Sequence, residues 1–577
     1  MFQLANFLKE FKKQLIIGPF FKLLEAILEL FVPIIMASII NIGIGNQDVA
    51  HIYKMGGVLI LLGVFGLIFA LICQYSASVA STGFSANVRH NLFTHINTLS
   101  HAELDQMGSN SLITRMTNDV NQVETAVAMF IRLAVRAPFI IVGAAVMALL
   151  IDVKMAAIFI VIIPLVSLVL YLVMGRSIPY YRMRQKKLDG VSLITKENLE
   201  GARVIRAFSK QQDENHRFLD ASKSVTEIAT RVGNLSALLN PAIFTILNIA
   251  IIAIIWFGGI QVQIGALNQG EVIALVSYTT QISLMLIVLA NLIIIFTRAS
   301  ASASRISEVL ATKSSIKAGK KSTVAAPQSI PKIEFQDVSF AYTGSDKEAL
   351  QSLSFKIAKG ETVGIIGGTG SGKTTLANLM PRFYDPSKGK ILVDGVDVKD
   401  YEFAALRQQF GIVFQQAVLF EGTIIENLRF AKEDASMEEI ERAVEIAQAK
   451  DVIESKAANF NEKIEQGGKN LSGGQRQRLT IARALVGNPE ILILDDSSSA
   501  LDYATDAKLR QALHQYGEEL TVVIISQRAN SIKHADHILV LDNGKLVGSG
   551  THETLFTTCA VYREICLSQL SQEEVDK

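Results

Sequence analysis

Apolar residues are concentrated in the first 300 positions of the chain, where long runs are interrupted by only a few polar residues. A helix that crosses the hydrocarbon core of a bilayer needs about 20 predominantly apolar residues. Six runs reach that length, and we expect each of them to form a membrane-spanning helix. They occupy residues 16–44, 55–78, 127–150, 155–175, 238–262 and 272–296.

Charged residues interrupt the first and the third of these runs. Lys22, Glu25 and Glu29 make the first run the weakest candidate, because charges within a bilayer must face protein, water or headgroups. Arg132 and Arg136 lie one helical turn apart at the start of the third run. They mark either a polar cavity or a place where long side chains reach the membrane interface, and we favour the interface.

The connecting segments alternate between short and long, which indicates the orientation of the chain. The long segments 79–126 and 176–237 are expected to continue the helices well beyond the bilayer. The second is rich in basic residues, namely Arg176, Arg182, Arg184, Lys186, Lys187, Lys196, Arg203, Arg206, Lys210, Arg217, Lys223 and Arg231. Basic loops stay in the cytoplasm. We therefore predict a multi-pass protein of the cell membrane whose long loops and both termini are cytoplasmic.

The second half of the chain has the mixed composition of a soluble α/β domain. Between the halves, residues 312–331 contain small residues, a lysine pair and two prolines, which indicates a linker without a core of its own. The chain thus divides into a transmembrane domain over residues 1–311, a linker over 312–331 and a cytoplasmic domain over 332–577.

Overall composition excludes several classes of partner and site. Lys and Arg number 55 against 54 Asp and Glu, a formal net charge of +1, so we expect no nucleic-acid partner. The three cysteines, Cys73, Cys559 and Cys566, have neither the spacing of metal ligands nor that of a disulfide framework. We interpret them as ordinary thiols in a reducing compartment.

A strand-like run at residues 362–366 leads into a glycine-rich loop with the spacing of a phosphate-binding P-loop. Glycines let backbone amides curl around phosphate oxygens, and the following helix N-terminus adds a favourable dipole. Lys373 is expected to pair with the β- and γ-phosphates of ATP, and Thr374 to ligate Mg²⁺. The predicted nucleotide-binding residues here are Gly367, Gly368, Thr369, Gly370, Ser371, Gly372, Lys373, Thr374 and Thr375.

Two later motifs refine this prediction. The apolar run 491–495 ends in Asp495, which is expected to hold the Mg²⁺ shell, as in P-loop NTPases. Just upstream, Leu471-Ser-Gly-Gly-Gln475 resembles the signature of ATP-binding cassette (ABC) proteins. A small-residue loop at a helix N-terminus is suited to bind phosphate. In ABC proteins this loop closes on ATP held by the opposite subunit.

Further positions resemble the same family in the same order. Tyr342 matches the aromatic residue that stacks on adenine, and Gln415 matches the glutamine that reaches Mg²⁺ and faces the membrane domain. Residues 499–502 resemble the D-loop. In the membrane half, the first cytoplasmic loop of ABC exporters is matched by Asp105, Gly108, Arg115 and Asp119, and the second by residues 197–208. Glu103-Leu104, however, stands where the family often has paired phenylalanines.

The resemblance covers nearly the whole chain and is closest to bacterial multidrug-type exporter halves. It implies an α-helical six-span transmembrane domain of the type IV ABC exporter fold, joined to an α/β P-loop NTPase domain. The implied metal ligands are Thr374, Gln415 and Asp495. The residues implied to contact ATP held by a partner subunit are Leu471, Ser472, Gly473, Gly474, Gln475 and Asp502.

Two catalytic positions depart from the family pattern. Asp496 stands where ABC ATPases usually carry the glutamate that polarises the attacking water, and Gln527 replaces the usual switch histidine. Aspartate is one methylene shorter, and a misplacement of about 1 Å can cost about 100-fold in rate. Glutamine forms hydrogen bonds but carries neither a proton nor a positive charge for transfer. We therefore expect a site that binds ATP and hydrolyses it poorly.

The signature, in contrast, is intact. Because it acts on ATP held by the opposite subunit, it is useful only if that subunit has a competent P-loop site. We therefore predict a heterodimer with a second ABC half-transporter. The expected function is ATP-driven export of hydrophobic small molecules, namely multiple drugs, across the lipid bilayer. Two alternatives stay open: an exporter of one compound such as a lipid, peptide or thiol, and an ATP-gated channel or regulatory subunit.

Overall fold

The computed structural model describes residues 4–322, 327, 329–345, 347–516 and 520–569. The chain separates into two compact units, each considered by itself below. The first contains the chain up to Asn97 and Asn110–Thr312. The second contains Thr98–Ser109 together with the chain from Lys313 onwards, so a short piece of the first cytoplasmic loop belongs with the C-terminal half.

Long helices account for most of the first unit. In chain order the N-terminal half forms α1 Leu4–Ile44, α2 Val49–Ile96, α3 His101–Met107, α4 Ser109–Ile151, α5 Val153–Glu200, α6 Ala202–Ala207, α7 Gln211–Gln263 and α8 Gln269–Ala311. Among the described residues, six of these helices are long and apolar enough to cross a membrane, and they contain the six predicted runs. The predicted six-span domain is confirmed.

The helices greatly exceed the thickness of a bilayer. At about 1.5 Å of rise per residue, the 48 residues of α5 extend over about 70 Å, against a hydrocarbon core of about 30 Å. Acidic caps start the helices after the short turns. Asp48 accepts the His51 N–H at 3.0 Å, and Asp152 accepts the Met155 N–H at 2.7 Å. Each cap satisfies a backbone donor that the first helical turn leaves free.

Small residues allow the spanning helices to approach closely. A Cβ on Gly270 of α8 would lie 2.4 Å from the Ala37 carbonyl oxygen of α1. One on Gly18 would lie 2.4 Å from the Ile131 side chain of α4. Helices in a membrane associate largely through such packing and interhelical hydrogen bonds. One such bond joins the buried Tyr278 hydroxyl to the Leu30 carbonyl oxygen at 2.6 Å.

An ion pair joins α4 and α8 in their cytoplasmic extensions. Asp119, whose side chain is 1% exposed, accepts hydrogen bonds from Arg305 Nε at 2.8 Å and Ser302 Oγ at 2.9 Å. Burial by itself raises the pKa of Asp119, but these hydrogen bonds outweigh it and hold the pKa below its usual range. Asp119, which the sequence matched to the first cytoplasmic loop of ABC exporters, thus joins α4 to α8.

The second unit has a mixed sheet at its centre. Its strands are β1 Ile333–Phe340, β2 Leu350–Ile357, β3 Thr362–Gly367, β4 Lys388–Val393, β5 Val396–Asp397, β6 Phe410–Val413, β7 Gly422–Thr423, β8 Lys463–Ile464, β9 Ile491–Asp495, β10 Thr521–Ile525, β11 His537–Asp542 and β12 Lys545–Gly550. The main sheet has the order β12-β11-β3-β10-β9-β6 and is parallel except for β12. A second, antiparallel sheet has the order β2-β1-β4-β5, and β7 pairs with β8.

Helices cover the main sheet. They are α9 Lys373–Leu379, α10 Phe403–Arg407, α11 Ile424–Leu428, α12 Met437–Ile446, α13 Lys450–Glu454, α14 Gly473–Val486, α15 Tyr503–Gln515, α16 Ala529–Ile532, α17 His552–Thr558 and α18 Ala560–Gln569. The parallel strands β3, β9 and β10 are buried, as strands covered on both faces must be. The predicted α/β class of this half is confirmed.

The predicted linker over residues 312–331 lies partly outside the described residues, at 323–326 and 328. Its earlier part makes specific contacts with the second unit. Ile316 is buried, the Gly319 N–H donates to the Tyr401 carbonyl oxygen at 2.8 Å, and the Lys321 N–H donates to that of Asp400 at 2.9 Å. This part of the segment is therefore attached to the domain that follows it.

The Asp119 junction yields a test of stability. Asp119→Asn removes the charge that pairs with Arg305 and should destabilise the first unit by about 1–3 kcal/mol, visible as a lower Tm in detergent. Because the pKa of Asp119 is lowered in the folded state, its contribution is present above the ordinary carboxyl pKa and is lost as pH falls through the lowered one.

Glu308→Gln is the matched control, since Glu308 is 64% exposed and pairs with Arg115 at 3.1 Å on the same pair of helices. Exposed ion pairs contribute about 0–1 kcal/mol. An equal Tm for Asp119→Asn and Glu308→Gln would contradict the structural role of Asp119.

Candidate nucleotide-binding site

The glycine-rich loop lies between β3 and α9, at the carboxyl edge of the main sheet. Gly370 and Gly372 have φ angles of 79° and 99°, which side chains other than glycine rarely adopt. A Cβ on Gly368 or on Gly370 would meet no atom within 4 Å, so this side of the loop is open. The backbone thus forms an unobstructed cradle at a helix N-terminus, as a phosphate group requires.

Lys373 lies inside this loop. Its Nζ donates to the carbonyl oxygens of Gly367 at 2.8 Å and Gly368 at 2.7 Å, and to Ser371 Oγ at 3.3 Å. Burial lowers the pKa of Lys373, and the nearby Asp496 and Asp495 carboxylates act in the opposite direction. A buried ammonium group in an open backbone cradle fits an anionic phosphate.

The oxygen ligands predicted for Mg²⁺ lie next to the loop. Thr374 Oγ1 donates to Asp495 Oδ1 at 3.3 Å. The two residues meet because the start of α9 and the end of β9 lie at the same edge of the sheet. Asp495 is buried, and burial raises its pKa, while the Thr374 hydroxyl and the Lys373 ammonium act in the opposite direction. A hydroxyl and a carboxylate side by side are ligands that Mg²⁺ prefers, so the residues present fit this ion.

The predicted adenine-stacking residue lies on the other side of α9. The half-buried Tyr342 shares a hydrogen bond of 3.0 Å with Thr375 Oγ1. Its ring meets Phe340 edge-on at a centroid distance of 4.9 Å and Tyr384 edge-on at 5.5 Å. These two aromatic neighbours restrain the ring next to the P-loop helix.

The Asp496 carboxylate lies beside the main chain of Gln527, the second unusual residue of the site. Asp496 follows β9 in a left-handed conformation, φ 47°, and its carboxylate accepts the Gln527 backbone N–H and, at 3.4 Å, Gln415 Nε2. Burial raises the pKa of Asp496 despite the positive charges of Arg528 and Lys373. The exposed Gln415, predicted to reach Mg²⁺, lies next to the Asp496 side chain, within reach of the same corner of the site.

The signature residues form a separate surface. Ser472 caps α14 reciprocally with Gln475: Ser472 Oγ accepts the Gln475 N–H at 3.3 Å, and Gln475 Oε1 accepts the Ser472 N–H at 2.9 Å. Leu471 is buried, whereas Ser472 and Gly473 are exposed. Within the described ranges, no hydrogen bond joins these residues to the P-loop.

Asp502 of the predicted D-loop is exposed and caps α15, accepting the Thr505 N–H at 2.9 Å. A Cβ on Gly474 would lie 3.0 Å from the Ala500 carbonyl oxygen, so the signature helix and the D-loop are neighbours on this surface.

The sequence did not reveal that His101, Phe383 and Tyr384 border the nucleotide site. They line a cavity of about 500 Å³ together with Thr374, Gln415 and Asp495. The His101 ring lies 4.7 Å from that of Phe383. No motif marks these three residues; only the resemblance of Asp105 to a cytoplasmic-loop position pointed to this part of the chain.

Two carboxylates fix the position of the first cytoplasmic loop, one through the cavity residue Tyr384 and the other through the linker. Asp105 Oδ2 accepts the Tyr384 hydroxyl at 2.5 Å, and burial raises the pKa of that hydroxyl. Glu103, where the family often has an aromatic residue, accepts the Ser315 N–H at 3.1 Å and caps α3 together with Ser100. The departure at Glu103 therefore replaces an apolar contact with a hydrogen bond to the linker.

Comparison with known proteins places the chain in a family. The description "ABC transporter transmembrane region" matches residues 15–311, and "ABC transporter" matches residues 350–499. The uncharacterized ABC transporter ATP-binding protein YfiB of Bacillus subtilis is 39% identical, with 98% of each chain covered. The putative multidrug export ATP-binding/permease protein YgaD of the same organism is 31% identical, with 97% of each chain covered.

A solved structure, described as that of a bacterial Atm1-family ABC exporter with ATP bound, has the same fold. Its TM-score is 0.82 at 23% identity, with 97% of this chain and 99% of that chain covered. The chain belongs to the ABC transporter family. It has the architecture of an exporter half-transporter, with one membrane domain and one ATPase domain.

Lys373 provides the first test of the site. Lys373→Ala removes the buried ammonium from the cradle and should weaken ATP binding by about tenfold or more, because a hydrogen bond to a charged group contributes about 1.5–3 kcal/mol. The measurement is calorimetric titration of ATP into the detergent-purified chain. Lys390→Ala, an exposed lysine in the same domain, is the control. Equal affinities for the two variants would exclude the predicted role of Lys373.

Proposed function

We propose that this chain is one subunit of a heterodimeric, ATP-driven exporter, and that its own P-loop belongs to the weakly hydrolytic nucleotide site. The observation that carries the proposal is the position of both residues just beyond paired strands: the Asp496 N–H donates to the Ile525 carbonyl oxygen at 2.8 Å, two residues before Gln527. Both substitutions thus fall at the same edge of the sheet as the P-loop, and both remove a group on which hydrolysis depends.

The surroundings of Asp496 support weak catalysis. Its carboxylate is one methylene shorter than that of glutamate, and it is already engaged by the Gln415 side chain and the Gln527 N–H. A general base must come within hydrogen-bond reach of the proton that it abstracts. Gln527 cannot supply the charge of a protonated histidine. The site retains the groups for binding and lacks those for rapid turnover.

The intact signature supports a different partner rather than a second copy. Ser472 and Gly473 are exposed and Gly474 is half-buried at a helix N-terminus that the capping box with Gln475 holds. Such a surface serves hydrolysis only when the opposing P-loop has its own catalytic glutamate. Two copies of this chain would form two impaired sites, whereas a heterodimer forms one impaired and one competent site.

The transported compounds are proposed to be hydrophobic small molecules of several kinds. The support is the apolar membrane domain together with the name of the relative YgaD, a putative multidrug exporter. ATP binding closes the two nucleotide domains, closure turns the cavity outward through the cytoplasmic loops, and hydrolysis at the partner's site resets the transporter.

The isolated chain should show little ATPase activity, because no complete competent site forms from it. The measurement is phosphate release by the purified chain in detergent and in vesicles, with ATP binding checked separately to show that the protein is folded. Rapid turnover by the chain alone would contradict the heterodimer.

The sharper test compares two mutations in the heterodimer. Asp496→Asn lies beside this chain's own nucleotide and should change steady-state ATPase only modestly. Gly474→Asp should nearly abolish it, because a carboxylate would face the γ-phosphate held by the partner. Repulsion in a desolvated interface costs several kcal/mol, and about 1.4 kcal/mol is tenfold in rate.

Gly474→Ala separates charge from steric effects. Its Cβ takes the same position, 3.0 Å from the Ala500 carbonyl oxygen, without adding a charge, so it should retain most of the activity. Loss of turnover in Asp496→Asn, or a milder effect of Gly474→Asp than of Asp496→Asn, would show that the asymmetry is absent or reversed.

A further inference from the structure

Five charged residues lie within the six apolar runs of the membrane domain, all of them in the first and third runs. We call them the intramembrane charge cluster: Lys22, Glu25, Glu29, Arg132 and Arg136. Three are cations and two are anions, so the cluster has a formal charge of 3 − 2 = +1. Charged groups at membrane depth are costly and mark functional sites.

Two ion pairs account for four of the five charges. Lys22 Nζ lies 2.7 Å from Glu25 Oε2 within α1, and Arg136 Nη2 lies 2.6 Å from Glu29 Oε2, joining α4 to α1. The Arg136 guanidinium is therefore neutralised by an acidic side chain of the neighbouring helix.

Arg132 is the one member of the intramembrane charge cluster that forms no ion pair within the described part of the chain. Its Nε is buried and has no hydrogen-bond acceptor, and no ion pair joins Arg132 to another residue in the described part of the chain. The preceding residue, Ile131, is buried, and its carbonyl oxygen lies 4.0 Å from Cys73 Sγ of α2. The main chain at Arg132 is therefore packed against the neighbouring helix.

Arg132 lies in one of three π-helical turns of the described membrane helices, the others being Ile39–Ile44 and Arg115–Asp119. Residues Phe130–Ala134 form a π-helical turn within α4, with Arg132 at its centre. Such turns are rare, are less favourable than regular helix, and occur frequently at functional sites. By helical rise, Arg132 lies about 28 Å from the end of α4 at Ile151, near the inner boundary of a core about 30 Å thick.

We propose that Arg132 is the anion-recognising residue of the transport pathway, and that the exporter takes amphipathic anions: molecules with one carboxylate, sulfonate or phosphate group on an apolar body. The ligand's anion supplies the counter-charge that the cluster lacks, while the apolar body remains among the helices. The inference rests on the proposed export function and specifies its substrate class. The same chemistry is offered by a transported acid and by the headgroup of an anionic lipid.

The test measures binding without ATP, so it does not depend on which nucleotide site hydrolyses. The probe is a dansyl-labelled medium-chain fatty acid, compared with its methyl ester, on the assembled transporter in phosphatidylcholine nanodiscs. Wild type should bind the acid more tightly than the ester. Arg132→Gln should weaken binding of the acid by about tenfold and leave the ester unchanged, since one charge-assisted hydrogen bond is lost.

Two further variants keep the comparison interpretable. Arg132→Lys retains the charge and should retain most of the preference for the acid, which shows that loss in Arg132→Gln is not a folding defect. Arg298→Gln removes an exposed arginine outside the apolar runs and should have no effect. An unchanged acid-to-ester ratio in Arg132→Gln, or an equal loss in Arg298→Gln, would overturn the proposal.

The source of the anion is distinguished by adding phosphatidylglycerol to the nanodiscs. Competition with the acid in wild type but not in Arg132→Gln identifies a lipid headgroup as the ligand, and no competition identifies a transported acid. ATPase activity is recorded on the same samples. If the transporter hydrolyses ATP but does not prefer the acid to the ester, the proposed substrate class is wrong and the export function is not affected. If the preference for the acid is observed but the ATPase predictions fail, the proposed heterodimer is wrong and the substrate class is not affected.

Discussion

The parallel pairing of β10 with β3 on one side and β9 on the other is the constraint on which the nucleotide-binding region depends. Ile525 pairs with Ile365 of β3 and with Asp495 of β9, so the three strands end at nearly the same level. Ligands of open α/β sheets bind where parallel strands end. The P-loop, the acidic end of β9 and the residues that follow β10 therefore meet at one edge. The contact between Asp496 and Gln527 is a direct consequence of this register.

Tyr384 connects that edge to the first cytoplasmic loop. Its ring meets Tyr342 edge-on, and its hydroxyl donates to Asp105 of the short helix α3. A single side chain therefore contacts both the predicted adenine-stacking residue and the loop that continues into the membrane helices. Glu103 adds a bond to the linker through Ser315. The polar residues of α3 give this loop a fixed position within the second unit.

The spanning helices and the α/β class were predicted correctly because their signals are local. Runs of about 20 apolar residues imply spanning helices whatever surrounds them, and the P-loop needs only its own glycines and the strand and helix beside it. His101 and Tyr384 were missed because their roles depend on contacts between distant segments. The pairing of Arg136 with Glu29 was missed for the same reason, since the depth and facing of two helices decide it.

By itself the sequence determined the class of fold, the two halves of the chain and the chemistry of the phosphate loop, because periodicity and short motifs encode these locally. Only the tertiary structure decided which charges neutralise each other. It paired Glu29 with Arg136, left Arg132 without an acceptor among the described residues, and brought Asp496 against Gln527. The physical reason is that electrostatic pairing acts over a few ångströms, and those distances are set by helix packing and strand register rather than by position along the chain.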